Sequence, residues 1–191
     1  MKTLFAAGLA AGLAAGAVAA EQVDFTANSV RIPGHGALEL KAPKAWGFAT
    51  TNAFGAAGPR TVVVQSAAGD IAVQITIYPE GLGTNQLRPD DEKMAEMLKT
   101  MAEAQYAPAA VEKQVTVEKL KGADVSGSFA RFTDAKWVGK KPPPAEFSNV
   151  ANGLMRCGDV WGNFTVLTND KDGPLFKQGL AVVESLRKAK P

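Results

Sequence analysis

The sequence predicts an α+β domain, with an antiparallel sheet of about six strands and helices packed on its faces. Three observations predict it. Stretches with period-two alternation or β-branched residues lie on both sides of one stretch with helical period. Short turn signals join the strand-like stretches, and short connections favour antiparallel pairing. A second helical stripe follows the last strand, and helices set apart from runs of strands are the mark of α+β proteins.

In order along the chain, "ALELKAP" (37–43) alternates Leu38, Leu40 and Ala42 against Glu39 and Lys41 and stops at Pro43. "RTVVVQSA" and "DIAVQITIYP" are rich in β-branched residues, and "SAAGD" between them supplies a hairpin turn. The period then changes. In "RPDDEKMAEMLKTMAEAQY", Asp90 is the expected N-cap, with Asp91 and Glu92 in the first turn, where acids suit the positive end of the helix dipole. Met94, Met97, Leu98, Met101 and Ala102 recur at three- and four-residue spacing and make one apolar face. That stripe reads as core; the other reading is an adaptable, methionine-rich peptide-binding face.

Strand patterns return in "EKQVTVEKLKG" and "ADVSGSFARFTDA", with Gly122 marking the turn between them. "EFSNVANGLMRC" and "DVWGNFTVLTND" meet near Gly158–Asp159. In the second, Val160, Phe164 and Val166 fall on one side and Trp161, Thr165 and Leu167 on the other, the pattern of a strand partly covered on both faces. In "GPLFKQGLAVVESLRKAKP", Phe176, Leu180, Val183 and Leu186 form a helical stripe, and Arg187, Lys188 and Lys190 are placed to suit a C-terminal helix end.

The first residues predict a destination. Lys2 precedes an uncharged run from Leu4 to about Ala15, and Ala17-Val18-Ala19-Ala20 offers small residues for a signal peptidase. Residues 1–20 are therefore expected to be a secretory signal peptide, leaving residues 21–191 as a single domain that is periplasmic or secreted. The run is shorter than the roughly 20 apolar residues that span a bilayer, and no cysteine stands at the cleavage site to carry a lipid. The formal charge is +2, of which Lys2 supplies one, so no basic footprint for nucleic acid exists. Cys157 is the only cysteine, so an internal disulfide is excluded and the core must hold the fold.

Three segments carry a family resemblance: "LELKAPKAW" with Pro43 and Trp46, "LKGADVSGSFARFTDA", and "NFTVLTND" followed by "VVESLR". Together they resemble PsbP-like domains, a superfamily that includes a photosystem II extrinsic subunit, a eukaryotic Ran-binding transport factor and many exported bacterial proteins. The resemblance implies an antiparallel sheet with helices on both faces over most of residues 21–191. It rests on structural positions and implies no catalytic residue and no photosystem role.

Few residues in the sequence are placed for chemistry. His35, in "IPGHGALEL", is the only histidine, without the converging ligands that a metal site needs, and reads as a turn residue. His35, Cys157 and a carboxylate are the available elements of a thiol enzyme. Yet Cys157 sits in a strand pattern with no helix N-terminus after it to lower its pKa. "TNDKDGPLF" has oxygens at the first, third and fifth positions of a calcium loop, but Gly179 stands where the closing carboxylate belongs, so turn and cap chemistry by Asp172 or Gly173, with Pro174 in the first helical turn, is expected. The glycines of "YPEGLGT" fit no phosphate loop, and Ser126 in "DVSGS" lacks the first glycine of a nucleophile elbow.

What remains is "KWVGKKPPPAEF". Its prolines cannot donate to a sheet, so a stiff, solvated polyproline segment is expected. Lys136, Trp137, Lys140, Lys141, Pro142, Pro143 and Pro144 are the candidate contact surface, set against a plain connection pinned by Trp137. The function expected is an exported, non-catalytic binding or accessory domain, without cofactor, whose partner is a protein or small ligand of the cell envelope. The alternatives are an envelope or membrane-surface assembly factor and a thiol-dependent hydrolase.

Overall fold

The computed structural model describes residues 23–52, 58–79 and 89–189. The leader proposed at residues 1–20 and the glycines Gly81 and Gly83 lie outside the described residues. The alternating stretches form strands: β1 (Phe25–Ile32), β2 (Gly36–Pro43), β3 (Gly47–Asn52), β4 (Arg60–Gln65) and β5 (Ile71–Tyr78). Helix α1 (Asp91–Gln105) follows, then β6 (Val117–Lys119), β7 (Val125–Thr133), a single 3-10 turn at Ala135–Trp137, β8 (Asn149–Cys157) and β9 (Val160–Thr168). Helix α2 (Pro174–Glu184) and the short β10 (Arg187–Lys188) close the chain.

Every strand pairing is antiparallel, and the class is α+β as expected, but the strands exceed the six anticipated. Among the described residues they form a seven-stranded sheet, β3-β4-β5-β9-β8-β7-β6, and a three-stranded one, β1-β2-β10. The additional strands have physical reasons for hiding in the sequence. In β3 no residue is fully buried, so it lacks the alternation of a half-buried strand, and β1 alternates only in its second half, where Val30 and Ile32 are buried. Arg187 and Lys188 do not end α2. The helix stops at Glu184, and these two residues pair with Glu39 and Leu38 of β2, with the Arg187 guanidinium 2.8 Å from Glu39. Leu186 likewise lies past the helix, although it is buried as its apolar character requires.

One face of the large sheet carries the main core. Val62 and Val64 of β4, the odd-numbered residues of β5 and Phe164 and Val166 of β9 pack with Phe176, Val182 and Val183 of α2 and with Leu38 and Leu40 of β2. Phe164 stands at the centre, fully buried and opposite Gly153 of β8. A Cβ on Gly153 would strike the Phe164 ring and come within 2.6 Å of the Ser128 carbonyl, so the missing side chain is what seats the ring. Gly179 does the same for α2: a Cβ there would lie 2.7 Å from Val166 and 2.8 Å from Ile71, so the glycine lets the helix approach the sheet.

Helix α1 covers the opposite face. Asp90 is its N-cap as expected, accepting from the Lys93 N–H at 2.8 Å. Met94 and Leu98 pack on Leu154 of β8, and Ala102 sits with Ala130 and Phe132 of β7. The helix lies over β7 and β8. The outer residues of β9 and β5 stand beside it rather than beneath it.

Phe164→Ala is expected to lower the unfolding free energy by ~3–5 kcal/mol in urea denaturation, the range for a core phenylalanine. Asp90→Ala should cost only ~1 kcal/mol, the usual worth of an N-cap. Comparable losses for the two would refute the central place given to Phe164.

Candidate functional site

Between α1 and the outer face of β5, β9 and β8 runs a groove of about 540 Å³. Sheet register builds one wall. Tyr78 ends β5 directly opposite Trp161 of β9, and on this side of an antiparallel pair the rings stack, 4.7 Å between centroids and 22° between planes. Asn163 and Leu154, themselves paired across β9 and β8, form the floor. Helical spacing builds the other wall from Met97 and Met101, half-buried at the flank of α1, with Lys93, Glu96 and Thr100 at its exposed edge.

The methionine stripe is thus divided. Met94 and Leu98 are core, while Met97 and Met101 line the groove. Lys93 and Glu96 neutralise each other at 3.2 Å, so the wall carries no net charge. The Thr100 hydroxyl donates to the Glu96 carbonyl at 3.1 Å. Asn163, half-buried, differs from these: its Oδ1 is a buried atom with no hydrogen-bond partner among the described residues. The outer face continues toward the far end of α1, where Tyr106 stacks on Phe132 at 5.2 Å beside a smaller cavity of about 280 Å³.

The expected loop surface lies past that end. Asp134 caps the 3-10 turn by accepting from the Lys136 N–H at 2.9 Å. Trp137 is half-buried rather than free, and Lys136 is engaged, its Nζ lying 4.2 Å from the Trp137 ring centroid and 3.3 Å from Glu146. Lys140 and Lys141 are exposed, as are Pro143 and Pro144, with Pro142 half-buried. The prolines do not run on as a straight segment. Glu146 N–H closes a turn on the Pro143 carbonyl at 3.1 Å, with Ala145 at φ 65°. Pro144 presets the first central position of such a turn, and the positive φ falls on the residue after it. Val138 beside them is 57% exposed.

His35 and Cys157 lie at the opposite corner. His35 sits in the β1–β2 turn between Gly34 and Gly36, both at positive φ, and its Nδ1 is 2.7 Å from Asp159 in the β8–β9 turn. Lys188 of β10 donates to the His35 carbonyl at 2.6 Å and pairs with Asp159. This cluster ties the small sheet to the large one. Partial burial pushes the Asp159 carboxyl up, but hydrogen bonds from Lys188 and His35 outweigh it and hold the group at about 2. Cys157 is buried, and burial drives its thiol up to about 11, with the Lys188 charge offsetting only part. Such a thiol is protonated at neutral pH and is a poor nucleophile.

The calcium-like stretch uses its oxygens on the protein. Asp170 Oδ2 accepts from the Leu175 N–H at 3.0 Å, Asp172 binds Arg131 at 2.6 Å, and Gly173 with Pro174 opens α2. Ser126 donates to Asp91 at the start of α1, at 2.9 Å. Glu112 is partly buried, which raises its pKa, yet hydrogen bonds from Lys171 and Thr133 bring it down to about 2. Among the described residues no group of three or more His, Cys, Asp or Glu is placed to hold a metal ion.

Among solved structures the chain has a likeness in outline to the cyanobacterial PsbP (CyanoP) from Synechocystis sp. PCC 6803. The match has 15% identity, covers 91% of this chain and 96% of that one, and has a TM-score of 0.47. No family model and no curated protein matches the chain.

Tyr78, Trp161 and Asn163 were not singled out as site residues by sequence reasoning. The signal was present in the alternation of β9, which puts Trp161 and Asn163 on the side away from Phe164. Their neighbours on β5 depend on register, which one strand cannot reveal.

Asp159→Asn should lower the melting temperature near neutral pH. A carboxyl held below its ordinary value of about 3.9 stabilises the fold fully above that value and loses the contribution as pH falls toward its folded pKa. The difference between variant and wild type should therefore shrink between about pH 4 and pH 2. A difference that stays constant across that range would show that the cluster does not stabilise the fold through charge.

Proposed function

We propose that this chain is an exported, non-catalytic binding or accessory domain that takes a small ligand of the cell envelope in the groove beside α1. The observation that carries this reading is the groove itself, an apolar cleft of about 540 Å³ walled by the Tyr78–Trp161 stack and by Met97 and Met101. Its volume is in the range of small-molecule sites, which are largely apolar with a few placed polar groups. Export rests on the leader pattern of residues 1–20. The thiol-enzyme alternative loses support because Cys157 is buried and protonated and His35 turns its Nδ1 to Asp159. Among the described residues no helix is long and apolar enough to cross a membrane.

A second reading places a protein or lipid surface on the lysine–proline loop. What favours it is the exposed Val138 next to the exposed Lys140 and Lys141, an apolar tip with cationic flanks. The two readings are compatible, since the loop and the groove lie toward different ends of α1.

Screening by differential scanning fluorimetry against neutral aromatic compounds should raise the melting temperature of the wild type, and Trp161→Ala should abolish the rise. A rise that survives Trp161→Ala would place the ligand elsewhere. For the loop, flotation with anionic vesicles at low salt should carry the protein up, and Lys140→Glu combined with Lys141→Glu should leave it in the dense fraction. Equal flotation of wild type and variant would remove the loop from consideration.

A further inference from the structure

We propose that the groove selects a neutral, planar ring compound whose polar substituent hydrogen-bonds the Asn163 carboxamide. This rests on the reading of the groove as the ligand site and adds the chemistry of what enters it. The polarity comes from Asn163. Buried polar groups in folded proteins nearly always have partners, and one without a partner calls for a specific explanation. Asn163 Oδ1 has no hydrogen-bond partner among the described residues, and the half-buried residue stands on the groove floor between Leu154 and the Tyr78–Trp161 wall. Strand alternation alone does not demand an amide there, because a threonine or valine suits an outer β position as well. A ligand group that pairs with the amide completes it.

The shape comes from the walls. Two rings stacked 4.7 Å apart make a broad aromatic surface that favours a flat apolar partner. Met97 and Met101 line the opposite wall from α1, and methionine adapts to ring edges of varied outline and is able to make favourable sulfur–aromatic contacts. The neutrality comes from the rim. Lys93 and Glu96 pair with each other at 3.2 Å, both well exposed, so neither is held in place as the fixed counter-ion of a charged ligand.

The test uses two probes of the same shape, 2-naphthol and naphthalene, titrated into isotope-labelled protein and followed by the Trp161 indole N–H and the backbone amides. 2-Naphthol should bind about tenfold more tightly than naphthalene, equivalent to ~1.4 kcal/mol. Both should shift Trp161. Asn163→Leu should bring the two affinities together without weakening naphthalene; Asn163→Thr serves the same purpose if the leucine variant does not fold. Equal affinities for the two probes in the wild type would overturn the ligand chemistry and leave the groove as a general apolar site. So would a preference that persists in the Asn163 variant. Absence of binding, or shifts confined to residues away from Trp161 and Asn163, would overturn the groove reading and this inference together.

Discussion

The seven-stranded sheet has two faces to cover, and the chain covers them unequally. On one side α2 and the small β1-β2-β10 sheet lie across β5 and β9, and the residues between them are sealed from water. On the other side a single helix, α1, lies over β7 and β8. Burying apolar surface drives the assembly, so the sealed face holds the fold. The half-covered face leaves the groove beside α1 open. The groove exists because one helix is narrower than the sheet it packs on.

That division depends on close approach at the centre. Phe164 occupies the middle of the sealed face because Gly153, its cross-strand partner, has no side chain. Gly179 lets α2 settle onto Val166 and Ile71. With those contacts made, the alternation of β9 places Trp161 and Asn163 on the other face, and the register of β5 brings Tyr78 against Trp161. Core packing and site geometry are two consequences of the same strand pairing.

The charged residues mostly join segments distant in sequence. His35, Asp159 and Lys188 tie three parts of the chain at one corner. Arg131 bridges Glu118 and Asp172, and Glu112 receives hydrogen bonds from Lys171 and Thr133. These groups have structural partners: His35 is held by Asp159, and the calcium-like stretch spends Asp170 and Asp172 on the Leu175 N–H and on Arg131. Cys157 behaves as a small core residue between Val125 and Val160 in the sheet register.

By itself the sequence determined the local elements whose signals are periodic and capped: α1 from Asp90 onward, the β4–β5 hairpin, β7 to β9, and the two-sided character of β9. Those features depend on spacing along a few turns or a few pleats, which a single chain displays. The tertiary structure alone decided the rest. β3 is exposed or half-exposed throughout and so lacks an alternating pattern, β1 alternates only over its last few residues, and the Arg187–Lys188 pair becomes a strand only because β2 offers it an edge. The loop of lysines and prolines was visible as a loop, but the capture of Lys136 by Trp137 and Glu146 required the fold of the turn. The groove was least legible of all. Its residues come from α1, β5, β8 and β9, and what brings Tyr78, Asn163 and Met101 to one cleft is strand register and helix placement, which no short window of sequence contains.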